Sequence, residues 1–151
     1  MEIAVISDTH ANSLQDLPDY LVTKLGEVDL IVHAGDFTEK TLLDELQALK
    51  EVKAVCGNMD SEEIRRRLSP KELFVVEGKS IGLTHGSGGR WGIMERVRGV
   101  FGNPDIIIYG HSHVPENKIF QGTLMFNPGT AVKSFGLLTI EEEIRAEIIT
   151  I

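Results

Sequence analysis

The chain has 151 residues, 42% hydrophobic and 25% charged, with a net charge of −8. Such a length suits a single domain over residues 1–151 that buries most of its apolar surface. The acidic balance argues against broad nonspecific nucleic-acid binding, no apolar run approaches the ~20 residues of a membrane span, and one cysteine, Cys56, rules out an intramolecular disulfide. A reducing cytoplasm is the expected compartment.

The first half alternates strand and helix. Ile3-Ala4-Val5-Ile6 is a short unbroken apolar run, the pattern of a strand buried on both faces; with no basic region before it, it reads as a first strand and not a signal peptide. Leu17, Leu21, Val22 and Leu25 mark a helix, with Asp16 as its expected N-cap, Pro18 in the first turn and Gly26 as its stop. Leu30 to Val32 is a second strand. Thr38 is placed to cap a helix with the stripe Leu42, Leu43, Leu46 and Leu49. Val52 to Val55 follows as a third strand, then a short helix capped by Ser61, with acids first and Arg65, Arg66 and Arg67 last, as the macrodipole favours.

The second half turns to strands. Leu73–Val76 and Ile81–Thr84 flank Gly78 as a hairpin, and Trp91, Met94, Val97 and Phe101 form one more helical stripe. Ile106–Ile108 is another buried strand. Ile119-Phe120, Leu124–Phe126, Leu137-Leu138 and Ile148-Ile149 continue as a meander. The order predicts an α/β sandwich with sheet layers inside and helices outside.

Five short polar motifs sit at the tails of these strands: Asp8-Thr9-His10, Gly35-Asp36, Gly57-Asn58-Met59-Asp60, Thr84-His85-Gly86 and Gly110-His111-Ser112-His113. Four of the five histidines fall in them. Sites in open α/β sheets form at the carboxyl ends of strands, so distant segments can converge on one rim. Asp8, His10, Asp36, Asn58, His85, His111 and His113 are too many N/O donors for one closed tetrahedral zinc, but they suit two five- or six-coordinate ions. Two ions ~3.5–4 Å apart need a shared carboxylate and can clamp an in-line phosphoryl displacement. Asp36, alone in its segment, is the expected bridge, and a hydroxide held between the metals the expected nucleophile. Two divalent cations outweigh Asp8 and Asp36, so the site can attract phosphate within an acidic protein.

These motifs, in this order, resemble the calcineurin-like metallophosphoesterase superfamily, whose pattern is D-x-H, G-D, G-N-x-[D/E], G-H, G-H-x-H. The small YfcE-type phosphodiesterase branch is most similar in length, in the His33-Ala34-Gly35-Asp36 run and in the Asn127-Pro128-Gly129 turn; the likeness spans roughly residues 3–135. The resemblance implies a four-layer αββα sandwich with mixed sheets. It implies one metal on Asp8, His10, Asp36 and His113 and another on Asp36, Asn58, His85 and His111, with Asp36, Asn58, His85 and His111 in the catalytic set. Imidazole-rich N/O sites favour manganese, nickel, iron or zinc over calcium or magnesium, with manganese expected first. Where many members of the family carry a histidine after the metal-binding asparagine, this chain has Met59, which cannot protonate a leaving group. General acid help is typically worth ~10²–10⁴-fold, so activated leaving groups, such as aryl esters or some phosphodiesters, are the expected substrates.

Other polar residues have plainer readings. His33 is expected to make a backbone or supporting hydrogen bond, Asp60 to orient Asn58 or cap the next helix, and Cys56 to be a small buried residue. Asn12, Arg90 and Arg65–Arg67 read as solvated. Asn127-Pro128-Gly129 reads as a tight turn at the rim. The expected partner is a small phosphate ester, without membrane and without nucleic acid beyond nucleotide size; an exposed sheet edge would admit a homodimer. The alternative function is a non-catalytic scaffold, since the retromer subunit shares this fold and fold does not fix function.

Overall fold

The computed structural model describes residues 1–151. In chain order it contains β1 (Glu2–Ile6), a one-turn 3-10 helix (Leu14–Asp16), α1 (Asp19–Glu27), β2 (Leu30–His33), α2 (Lys40–Leu49) and β3 (Val52–Ala54). Then come α3 (Glu62–Arg67), β4 (Lys71–Val76), β5 (Lys79–Thr84), α4 (Ile93–Val100), β6 (Ile106–Ile108), β7 (Glu116–Phe120), β8 (Thr123–Asn127), β9 (Ser134–Ile140) and β10 (Ile144–Thr150).

Two five-stranded sheets result, ordered β10-β9-β1-β2-β3 and β4-β5-β6-β8-β7. Strands β1, β2 and β3 run parallel in the first, and β5, β6 and β8 in the second; antiparallel strands complete each sheet. The period-two alternation of strands sorts the side chains into layers. Ile3 and Val5 of β1 meet Ile81, Ile106, Ile108 and Phe126 of the second sheet, forming the inter-sheet core. Ala4 and Ile6 face the other way, against Leu21, Leu25, Leu42 and Ile64 of α1, α2 and α3. Ile107 turns from the inter-sheet core to meet Ile93 and Val97 of α4. This is the αββα sandwich.

Local chemistry explains where elements start and stop. The hairpins β4–β5 and β7–β8 turn on Glu77-Gly78 and Gln121-Gly122, each with two consecutive positive φ values (48° and 79°; 50° and 82°). That is the two-residue turn whose twist matches paired strands. Ser61 caps α3 as expected, its Oγ accepting from Ile64 N at 3.4 Å.

Other expected caps are placed differently. Asp16 does not head α1; it accepts from Asn12 N at 3.1 Å and Ser13 N at 3.3 Å to close the 3-10 turn, and α1 follows Pro18. Gly26 lies inside α1, which ends one residue later. Thr38 sits in the left-handed region at φ 80°, so Glu39 precedes α2 without a side-chain cap. Trp91 is 85% exposed, because Gly92 turns the chain in the left-handed region before α4 begins. The buried face of α4 is therefore Ile93 and Val97.

Candidate metal centre

The carboxyl ends of the parallel strands meet at one rim. Backbone bonds join the segments there: Asp8 N to Gly35 O (3.0 Å), Gly110 N to His85 O (3.0 Å) and Ala131 N to Ser7 O (3.1 Å). The chain then turns inward at once. Asp8, His10, Asp36, His111 and His113 all have positive φ, between 46° and 69°. Outside glycine such conformations are uncommon and cost of order 1–3 kcal/mol each, so the surrounding contacts must impose them.

Those contacts are specific. Asp8 Oδ2 accepts from Ser7 Oγ at 2.7 Å and from His111 N at 3.2 Å. Its other oxygen, Oδ1, is buried without a hydrogen bond and faces His113 Nε2 at 3.3 Å and His85 Nε2 at 3.8 Å. Asp36 Oδ1 accepts from Met59 N at 2.8 Å. Its Oδ2 faces His85 Nε2 at 3.3 Å and His10 Nε2 at 3.9 Å. Both carboxylates are almost fully buried.

His85 decides the chemistry of this cluster. Its Nδ1 lies 2.7 Å from the Ala34 carbonyl oxygen, which can only accept, so Nδ1 carries the proton of the neutral ring. The neutral ring then points the Nε2 lone pair at two carboxylates. His85 Nε2 and Asp8 Oδ1 are both buried without a hydrogen-bond partner. Lone pair against lone pair in a dry site is unfavourable unless a cation or proton stands between them. Burial opposes a charge on His85, but the facing carboxylates of Asp36 and Asp8, with the Ala34 carbonyl, outweigh it and raise its pKa. Burial likewise opposes ionisation of Asp36, yet the adjacent His85 ring and the Met59 N–H hold its pKa below the usual range. The orphaned atoms and the N/O donor set fit divalent cations.

The structure brings five of the seven sequence-predicted donors into two overlapping groups, Asp8–His10–His113 and Asp8–Asp36–His85, with the donor atoms of each group within 4.8 Å of one another. Asp8 is common to both groups, while Asp36 Oδ2 is faced by one histidine from each ligand set implied by the resemblance. The remaining two stand apart in detail. The His111 ring packs edge-on to that of His85 at 5.2 Å, and its Nε2 lies 2.9 Å from the Gly88 carbonyl. Asn58 is exposed, and its carbonyl accepts from Arg65 at 2.6 Å. His33 makes no approach to the cluster as a donor: its Nδ1 accepts from Gly35 N at 3.0 Å, its Nε2 meets Thr9 Oγ1 at 3.1 Å, and its ring stacks on Phe37.

Several supporting residues were not singled out for these roles from the sequence. Asp60 caps no helix; Oδ2 accepts from Asp36 N (2.9 Å) and Gly57 N (2.7 Å), and Oδ1 from Thr38 N (2.9 Å). One buried carboxylate thus ties the Asp36 loop to the Asn58 loop. Asn127 Nδ2 donates to Gly110 O and Ser112 Oγ, both at 3.1 Å, which holds the Gly110–His113 loop. Gly57 leaves no room for a side chain: a Cβ there would collide with Asp36 Oδ1. The signal available was proximity in sequence, since Asp60 lies within a motif segment and Ser7 directly precedes one.

Residues 1–142 match the model of the calcineurin-like phosphoesterase superfamily domain. The chain belongs to that family. At the level of the family it is a metal-dependent phosphoesterase. It is 36% identical to a probable metallophosphoesterase of Methanocaldococcus jannaschii, over 100% of this chain and 82% of that protein. The solution structure of a Thermotoga maritima protein superposes with a TM-score of 0.81 at 32% identity, covering 99% of each chain. Vps29 from Entamoeba histolytica, crystallised with zinc, superposes at 0.75 with 25% identity, again over 99% of each. No helix is long and apolar enough to cross a membrane.

Proposed function

We propose that this protein hydrolyses phosphodiesters, or phosphomonoesters with good leaving groups, at a dinuclear metal centre. Asp8, His10, Asp36 and His113 would hold one ion and Asp36, Asn58, His85 and His111 the other, with Asp36 shared. Manganese suits this donor set, as do nickel, iron and zinc. When bound, the two ions acidify the attacking water and neutralise the phosphoryl oxygens as charge develops.

The chain's own residues do the rest. Ser7 and the His111 N–H fix Asp8, and the Met59 and Asp60 contacts fix Asp36, so both carboxylates are oriented before any ligand arrives. The Ala34 carbonyl fixes the His85 ring and tautomer. Met59 stands beside Asp36 with its side chain 58% exposed and supplies no proton, so the leaving group must depart as the anion. That selects aryl esters, and diesters with comparably good leaving groups, over alkyl esters.

One observation carries this reading: buried Asp8 and His85 present donor atoms with no protein partner to the same small space as Asp36. The test is hydrolysis of bis-p-nitrophenyl phosphate with added manganese, before and after Asp36→Ala, alongside metal analysis of untagged protein. Turnover that is metal-dependent and lost in the variant supports the reading. A second reading, a scaffold on the same fold, draws on the likeness to Vps29; metal binding without turnover on any phosphate ester would favour it.

A further inference from the structure

A cleft of about 510 Å³ opens beside the candidate centre, between the β3–α3 segment and the β5–α4 segment. His85 and Asn58 line it, so it is continuous with the site; Leu68 and Val100 give it an apolar wall. Two features of its charge stand out. None of the residues lining it is acidic, although acids outnumber bases 23 to 15 in the chain. It is also lined by two guanidinium groups, Arg65 and Arg96, neither of which has an acidic partner.

The contrast along α3 is informative. Arg66 is paired with Glu62 and Arg67 with Asp44, both at 2.7 Å. Arg65, on the same short helix, donates only to the Asn58 carbonyl. On the opposite wall Arg96 binds the carbonyls of Ser87 at 2.9 Å, Trp91 at 3.0 Å, and Gly89. A guanidinium has five N–H donors, so both arginines keep donors to spare.

We propose that this cleft binds the organic part of the substrate, and that Arg65 and Arg96 recognise a second anionic group carried on it. The substrate class is then a phosphate ester whose alcohol or aryl portion bears a carboxylate or a further phosphate on an apolar frame. This rests on the phosphoesterase reading above and deepens it. The planar guanidinium fork matches either anion, and the Leu68–Val100 wall covers the frame. The cleft volume falls in the ~300–1,000 Å³ range of small-molecule sites. A substrate without the second charge leaves both cations unneutralised beside the scissile phosphate.

The test uses manganese-loaded protein and three diesters: 4-nitrophenyl phenyl phosphate and its 3-carboxyphenyl and 3-phosphonophenyl counterparts. The wild type prefers the anionic esters by about tenfold in kcat/KM, the size one charge-assisted hydrogen bond supplies, and the preference shrinks as salt is raised. Arg65→Gln reduces that preference to about twofold or less, through KM, and Arg65→Lys restores part of it. The relative rates of the carboxylate and phosphonate esters distinguish the two anion types. Calorimetry with 3-carboxyphenylphosphonate against phenylphosphonate gives a readout independent of turnover. If no ester is hydrolysed but the carboxylated phosphonate binds more tightly in an Arg65-dependent way, the catalytic reading fails and the cleft assignment stands. If all three esters are hydrolysed with equal kcat/KM, or the preference survives Arg65→Gln, the cleft assignment is overturned.

Discussion

Asp60→Asn tests whether one buried carboxylate organises the rim. The native side chain accepts three backbone N–H groups, from Asp36 and Gly57 through Oδ2 and from Thr38 through Oδ1. An amide keeps one oxygen for the first two, but its NH₂ then faces the Thr38 N–H donor to donor. A hydrogen bond to a charged group is worth about 1.5–3 kcal/mol, and the two surviving bonds weaken as their acceptor becomes neutral. Thr38 is only half-buried, so water recovers part of the loss, which leaves about 2 kcal/mol. With a urea slope of about 2 kcal/mol/M, the unfolding midpoint of metal-free protein should fall by about 1 M at unchanged slope. Manganese affinity, read by calorimetry, should fall by about tenfold, because Asp36 and the Asn58 loop lose their common anchor. Asp16→Asn is the control: it too accepts backbone N–H groups, but it is exposed, and it should shift stability by about 0.5 kcal/mol or less. A midpoint in Asp60→Asn no lower than in that control, with full metal affinity, would refute the reasoning.

Gly57→Ala should abolish metal-dependent turnover and lower the melting temperature, since its Cβ must displace Asp36 Oδ1; retained activity would show that the loop gives way easily. His33 is fully buried, and burial first, then the charges of His85 and His10, press its pKa well below 6.5. The unfolded chain therefore binds a proton that the folded chain refuses, and stability falls as pH drops below 6.5 by up to about 1.4 kcal/mol per unit. In chelator, His33→Gln should flatten this acid-side slope in urea titrations; His85, whose raised pKa acts in the opposite sense, is common to both proteins. Met59→His should raise turnover on alkyl phosphates more than on nitrophenyl ones, and equal gains would count against the missing-acid explanation. Manganese should slow amide exchange at Asp8, His10 and Met59, whose N–H groups are bonded at the rim, while the amides of β6 and β8 exchange as before; uniform slowing throughout would mean global stabilisation instead.

The layers were legible because burial imposes a period on strands and helices. Ile3-Ala4-Val5-Ile6 reads as apolar on both faces, and the structure gives each face its own layer. Ser61 was legible as a cap because nothing else competes for its hydroxyl. Asp16 and Thr38 were not, since their roles depend on what the next loop does: Asp16 closes an extra turn before Pro18, and Thr38 is drawn to Asp60 across 22 residues of chain. Trp91 fits a helical spacing, yet Gly92 breaks the helix just after it. At the rim, residue type marked the candidate donors, and position at strand ends the convergence that five of the seven show. Sequence could not announce which arginine of three lacks an acidic partner, or that Asp60 would bind three amides, because both follow from loops that meet only in the folded chain.

The positive-φ residues draw these observations together. Of the eight that are not glycine, two lie in hairpin turns, one is Thr38, and the other five are Asp8, His10, Asp36, His111 and His113. Strain of order 1–3 kcal/mol at each persists only where other contacts over-determine the backbone. Those contacts are the ones found: Asp60 on the Asp36 and Thr38 amides, Ser7 and His111 on Asp8, and Asn127 on the Gly110–His113 loop. The supporting residues therefore do more than orient donors. They hold the backbone in conformations that place carboxylates and imidazoles face to face, an arrangement the bare side chains would relax if they could. A rim built only for stability would not concentrate strain, buried negative charge and orphaned donor atoms in the same few residues; a rim built to receive cations would.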